Sequence, residues 1–217
     1  MNKSTVFTKG VYYYRRLKRE QWLKQLREMN HNHDFSLITN DCVGGVICHD
    51  LGEQFRSPTV NLWIPNEHFL EFAQNLRYYL SCDMEEKPDT SKSYPVGRII
   101  PNDDQHIPIE VNFQHYASFE EGYTKWQERS KRVNYDRLYF IWHYFGEAET
   151  DRIVVFDRWN VRKLVILHEP LKEIQHSEVT TCYRSDPHNG KILDVVEQTG
   201  KRYLDEIDYV SFLNREG

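Results

Sequence analysis

The chain has 217 residues, 39% of them hydrophobic and 28% charged, a size and composition that support one sizeable core rather than two independent domains. A formal net charge of -5, with neither a sustained acidic block nor a basic face, argues against nucleic acid as a partner. No run of about 20 apolar residues is present to span a bilayer. The amino terminus leads into a Tyr/Arg segment rather than an apolar signal core, and Cys42, Cys48, Cys82 and Cys182 lack paired CxxC spacing, which together predict reduced thiols and a cytoplasmic location.

In chain order, residues 11–30 place Tyr14, Leu17, Leu23 and Leu26 near helical spacing among Arg15, Arg16, Lys18, Arg19, Lys24 and Arg27. Residues 1–33 are therefore expected to form a basic amphipathic helix, and 34–217 an α/β domain. The helix packs on the domain by its Tyr/Leu/Trp side, or, in a sharper reading, makes a peripheral contact with anionic lipid at the inner face of the membrane. Phe35–Thr39 reads as a short strand, stopped by Asn40-Asp41, with Asp41 suited to cap a helix that begins at Cys42 or Val43. After a loop at Ser57-Pro58-Thr59 and the apolar run Val60–Ile64, Asn66 opens a helix to about Ser81, with Phe69, Phe72, Ala73, Leu76 and Leu80 on one face.

Residues 83–95, rich in charge, Ser and Pro, are expected to be an exposed loop. Val96–Ile100 and Ile107–Phe113 read as strands around the Pro101-Asn102-Asp103-Asp104 turn. Ser118-Phe119-Glu120-Glu121 is a capping box that starts a helix to about Val133. Leu138–Trp142 reads as a buried strand, 149–157 as a short helix, Lys163–Leu167 as a strand, and Asp205–Leu213 as a helix. Strands alternating with helices predict a single α/β domain of three layers, Rossmann-like, with a mixed or mostly parallel central sheet and helices on both faces.

The strongest chemical signal is Cys42, set between a strand and a helix beside Gly44-Gly45. In open α/β sheets this is the carboxyl end, where ligands bind. A helix amino terminus favours a thiolate or an anion there, and glycines let a substrate approach the backbone. The alternative is a buried, inert cysteine with glycines kept for packing. A nucleophilic Cys42 needs a base, and His115, just before the capped helix, is the first candidate. His49, two helical turns after Cys42, is the second. Asn40 and the N–H groups of Val43 and Gly44 are candidate oxyanion donors.

Asp41, Gly44 and Gly45 are expected at the substrate, Asn61 and Trp63 at a sugar, and Arg77 at a phosphate; each also has an ordinary structural reading. Cys42, Cys48 and His49 with His31 or His33 hold enough ligand types for zinc, yet their spacings fit no standard knuckle, so no metal site is assigned.

Phe35–Gly45, Asp50-Leu51-Gly52, Ser57–Leu62, Phe69–Phe72, Asn75–Leu80, Tyr94–Gly97, His115–Glu121, Lys125–Arg129 and Arg132-Val133-Asn134 together resemble a bacterial family labelled exopolysaccharide-biosynthesis proteins. The resemblance implies a transferase of surface-polysaccharide or capsule assembly. Its favoured form is an acyl- or acetyltransferase that takes acyl-CoA or acetyl-CoA as donor and a sugar or glycan as acceptor. A nucleotide-sugar-dependent glycosyltransferase and a non-enzymatic assembly or binding factor are the alternatives. Two places depart from the family's pattern. Asn40-Asp41-Cys42-Val43 stands where Asn-Asn-Cys is followed by an aromatic residue, and Trp142-His143-Tyr144-Phe145 stands where an acidic turn follows the strand.

Overall fold

The computed structural model describes residues 3–144, 150–167, 171, 180–182, 191–194 and 199–215. In chain order the elements are α1 (Lys3–Met29), β1 (Ser36–Thr39), α2 (Val43–Leu51), α3 (Asn66–Gln74), α4 (Leu76–Tyr79), β2 (Asp83–Glu86) and β3 (Val96–Ile100). They continue with β4 (Ile109–Asn112), α5 (Phe119–Ser130), β5 (Leu138–His143), α6 (Thr150–Arg158), β6 (Lys163–Leu167), β7 (Thr180–Cys182) and α7 (Tyr209–Asn214). The main sheet is parallel, in the order β1-β5-β6-β7. A separate antiparallel sheet runs β2-β3-β4.

The main strands are apolar on both faces, as a parallel sheet covered on two sides requires. Leu37, Tyr139, Ile141, Leu164 and Ile166 point into one core with Leu26 of α1, Val43 and Ile47 of α2, and Phe212 and Leu213 of α7. Ile38, Phe140, Trp142, Val165 and Leu167 point into the other, with Phe69 and Phe72 of α3, Trp126 of α5, Phe156 of α6, and Ile99 and Val111 of the small sheet. The α/β fold with helices on both faces is thus as expected, and alternation along each strand sorts the side chains between the two cores.

Four details differ from the sequence expectation. Asp83–Glu86, expected in a loop, is an edge strand: only Met84 is buried, so its burial pattern carries no hydrophobic signal. The helix after Asn66 breaks at Asn75, whose Nδ2 donates to the Glu71 carbonyl at 3.2 Å and to its carboxylate at 3.1 Å, an alternative to continuing the ladder. α1 begins eight residues earlier than its periodicity suggests. Leu23 and Leu26 pack on the domain, but Tyr14 and Leu17 are 50% and 41% exposed. The expected cap of α5 is present: Ser118 Oγ accepts from Glu121 N–H at 3.2 Å, and the Glu121 carboxylate accepts from Ala117 N–H at 3.1 Å.

Candidate functional site

β1 ends at Thr39 and β5 at His143, in parallel, so the turn Asn40-Asp41-Cys42 and the end of β5 lie side by side at the carboxyl end of the sheet. Asn40 extends the pairing with its side chain. Its Nδ2 donates to the His143 carbonyl at 2.7 Å, and its Oδ1 accepts from His143 N–H at 2.9 Å. The Asn40 carbonyl accepts from Ile64 N–H at 2.7 Å. An amide is the side chain that can mimic a peptide in both directions, which explains the residue type.

Asp41 is buried and works in two directions. One carboxylate oxygen accepts from Val43 N–H at 2.9 Å, the expected cap of α2, and the other lies 2.7 Å from Nδ1 of the fully buried His143. The carboxylate sets Nδ1 as the donor. Asp41 and His143 lie in the two segments, Asn40–Val43 and 142–145, at which the sequence departs from the resembled pattern. The two side chains contact each other.

A cleft of about 820 Å³ opens above this layer, lined among others by Asp41, Cys42, Trp63, Tyr94, Gln114 and His115. Cys42 and His115, remote in sequence, share the cleft because the chain leaving β4 passes over the β1–α2 turn. His115 is exposed, and its ring makes no hydrogen bond to a described residue. Burial pushes the Cys42 thiol up to about 12, with the neighbouring Asp41 carboxylate adding to the effect. Its Sγ lies 4.0 Å from the Leu62 carbonyl. At neutral pH Cys42 is therefore a thiol, and the helix terminus does not reverse this.

Opposite Cys42, Trp63 sits under the Lys92 ammonium at 5.5 Å from its ring centre. Lys92 is held by Glu110 and Asn112, each at 2.7 Å. Burial pushes the Glu110 carboxyl up, but hydrogen bonds from Lys87, Lys92 and Asn112 outweigh it and bring it down to about 2. This network fixes the rim. Lys92, Tyr94, Glu110, Gln114 and His143 belong to the site or its support, yet no short motif marks them; only the folding of the small sheet against the β1 turn brings them together.

The other expected site residues lie elsewhere. Gly44 and Gly45 are buried in α2. A Cβ on Gly44 would meet Thr39 Cγ2 at 2.7 Å, and one on Gly45 would meet Val60 Cγ1 at 3.1 Å, so both serve close packing. The expected oxyanion donors are engaged within the protein: Asn40 with His143, Val43 N–H with Asp41, and Gly44 N–H with Thr39 Oγ1 at 3.3 Å. Asn61 is exposed outside the cleft, with φ at +62°, a backbone region that Asn tolerates better than most residues. Arg77 lines a different cavity, with Tyr135 and Trp159, at the start of β5. His49 is exposed and faces Asp50 at 3.2 Å, away from Cys42. Among the described residues no three His, Cys, Asp or Glu side chains are grouped to hold a metal ion.

A family model described as "Domain of unknown function (DUF1919)" matches residues 13–214. The chain belongs to the DUF1919 family. An "Uncharacterized protein" of Haemophilus influenzae is 32% identical to this DUF1919 chain over 185 residues, covering 84% of this chain and 85% of the relative. The family match spans the residues of the cleft from Asn40 to His115, and the relative is a bacterial protein. Among the described residues no helix of this DUF1919 chain is long and apolar enough to cross a membrane.

Proposed function

We propose that this DUF1919 protein is a cytoplasmic transferase that moves an acyl group from a CoA thioester to a sugar hydroxyl, in the assembly of surface polysaccharide. The observation that carries the reading is the cleft at the carboxyl end of the parallel strands, lined by the Cys42 thiol, the Trp63 ring and His115, whose ring bonds to no described residue. An aromatic ring beside polar side chains suits a sugar, with the apolar ring face stacked and the hydroxyls bonded. The pathway assignment rests on the sequence resemblance.

The neutral state of Cys42 favours direct transfer over a covalent intermediate. His115 takes the proton of the sugar hydroxyl as its oxygen attacks the thioester carbonyl. The new C–O bond forms, the C–S bond breaks, and His115 returns the proton to the departing CoA sulfur. Gln114, whose side-chain amide makes no hydrogen bond to a described residue, is the donor placed to meet the developing oxyanion. Cys42 forms part of the wall. The glycosyltransferase alternative loses its main support, since Gly44-Gly45 pack against Thr39 and Val60 instead of facing the cleft.

The test is release of free thiol from acetyl-CoA in the presence of a panel of sugars and nucleotide sugars, together with mass spectrometry of the acceptor. The expected outcome is sugar-dependent release that falls by about 100-fold or more in His115→Ala and changes little in Cys42→Ala. No acetylated acceptor with any sugar, or activity unaffected by His115→Ala, would refute the reading. Transfer abolished by Cys42→Ala in a folded variant would replace the direct route with a covalent one.

A further inference from the structure

A polar cavity of about 340 Å³ lies at the amino end of the parallel strands, opposite to the end that carries the Cys42 cleft. Its lining includes Asn32, Asp136, Arg137, Tyr139, Arg162 and Arg215. The topology brings the arginines here from distant segments. Arg137 and Arg162 immediately precede β5 and β6, which are parallel neighbours, and the Arg162 carbonyl accepts from Phe140 N–H at 2.9 Å. Arg215 immediately follows α7.

The floor is held by hydrogen bonds. Tyr139 and Asn32 are 2% and 8% exposed. The Asn32 amide donates to the Tyr139 hydroxyl at 3.1 Å and to the Leu213 carbonyl at 2.7 Å, and the hydroxyl donates to the Arg215 carbonyl at 3.1 Å. The Arg162 guanidinium lies 5.2 Å from the centre of the Tyr139 ring. Its Nε is shut off from solvent, so contact with a ligand falls to the terminal N–H groups. Arg137 makes one hydrogen bond, a long one of 3.4 Å to Asn32 Oδ1. Neither Arg137 nor Arg162 forms an ion pair with a described residue, and Asp136, the carboxylate in the lining, pairs with neither. Guanidiniums stay charged at every accessible pH. Three arginines against one aspartate therefore leave the lining with an excess of two positive charges, in a chain whose net charge is -5.

We infer that this cavity binds the phosphate group of a small phosphomonoester, with Arg137 and Arg162 donating to its oxygens. Like charges gathered around one space repel, and an anion between them removes that cost. A phosphomonoester carries close to two negative charges at neutral pH and accepts in three dimensions, which matches guanidiniums that arrive from different elements. A carboxylate is flat and singly charged, and one guanidinium satisfies it. The volume lies at the lower end of the range for small-molecule sites, which suits a ligand smaller than a nucleotide. The site is separate from the cleft and does not depend on the transferase reading.

Isothermal titration of the full chain with glycerol phosphate, inorganic phosphate and acetate tests the inference, at about 0.15 M salt so that exposed charges are screened. Glycerol phosphate should bind at least as tightly as inorganic phosphate, and about tenfold or more tighter than acetate. Arg137→Ala and Arg162→Ala should each weaken it by about tenfold or more. Arg137 is exposed, so its variant decides the matter even if Arg162→Ala does not fold. Arg77→Ala, in the cavity beside Trp159, should leave the affinity unchanged. No binding of glycerol phosphate at millimolar concentration, full affinity in Arg137→Ala, or an equal loss in Arg77→Ala would each overturn the proposal. Inorganic phosphate binding about tenfold more tightly than the ester would make the free ion the ligand and overturn the ester assignment.

Discussion

At the scale of single residues, Cys42 shows how local context can reverse a sequence signal. A cysteine at a helix start is usually activated, but here the side chain is desolvated and faces the carboxylate of Asp41, which caps the same helix. Alkylation of Cys42 by iodoacetamide, followed at its own peptide, should be slow at pH 7.5 and rise about tenfold per pH unit to at least pH 10. A plateau near neutrality would mean a thiolate and would contradict the stated burial effect. The same group shapes stability: its folded pKa is raised from 9.0 to about 12, so its contribution is complete below about pH 9 and is lost as pH rises towards 12. Urea unfolding of Cys42→Ala should accordingly show a shallower loss of stability above pH 9 than wild type.

Among the elements, α2 is joined to its neighbours by close approach and by charge. Gly44 packs on Thr39, whose hydroxyl donates to the Asp41 carbonyl at 2.7 Å and accepts from Gly44 N–H, so the side chain has no freedom to give way. Helix propensity alone would make Gly44→Ala stabilising by about 1 kcal/mol. The Cβ clash should win and leave the variant about 1–2 kcal/mol less stable by urea titration. Gly45→Ala, opposed by one Val60 methyl at 3.1 Å, should lose less. On the other side of α2, Arg19 of α1 bridges the buried carboxylates of Asp50 and Asp205, tying α1 and α2 to the segment before α7. Arg19→Ala removes the shared cation from both carboxylates, leaving Asp205 with the Arg202 N–H and the Tyr209 hydroxyl, and should cost about 3 kcal/mol. Arg202, 3.3 Å from Asp50, limits the loss on that side. An unchanged urea midpoint would show that the bridge adds nothing.

For the molecule as a whole, one face of the main sheet is closed by the end of the chain. Leu204, Ile207, Tyr209, Val210, Phe212 and Leu213 are all buried against α1, α2 and the sheet. Removing them exposes apolar surface worth of the order of 10 kcal/mol, comparable with the entire stability of a typical domain. A chain ending at Gly200 should therefore show no cooperative melt and bind dyes specific for exposed apolar surface. A sharp transition within a few degrees of the full chain would mean that the two cores are energetically independent.

Periodicity was enough to place β1, β5 and β6, because strands buried on both sides must be apolar throughout, and enough to place α5, because its cap is written in four consecutive residues. The turn at Cys42 was legible for a similar reason: a strand stop, a cap and two glycines are local chemistry. β2 was not legible, since an edge strand with one buried side chain has no hydrophobic pattern to show. Nor were the roles of Asn40, Gly44 and Gly45, which depend on neighbours from β5, β1 and Val60. The meeting of Cys42 with His115, the contact between Asp41 and His143, and the separation of Arg77 from the cleft were decided by the tertiary structure alone. Local sequence can encode backbone conformation and burial, whereas the partner that a buried polar group finds is set by how distant strands align.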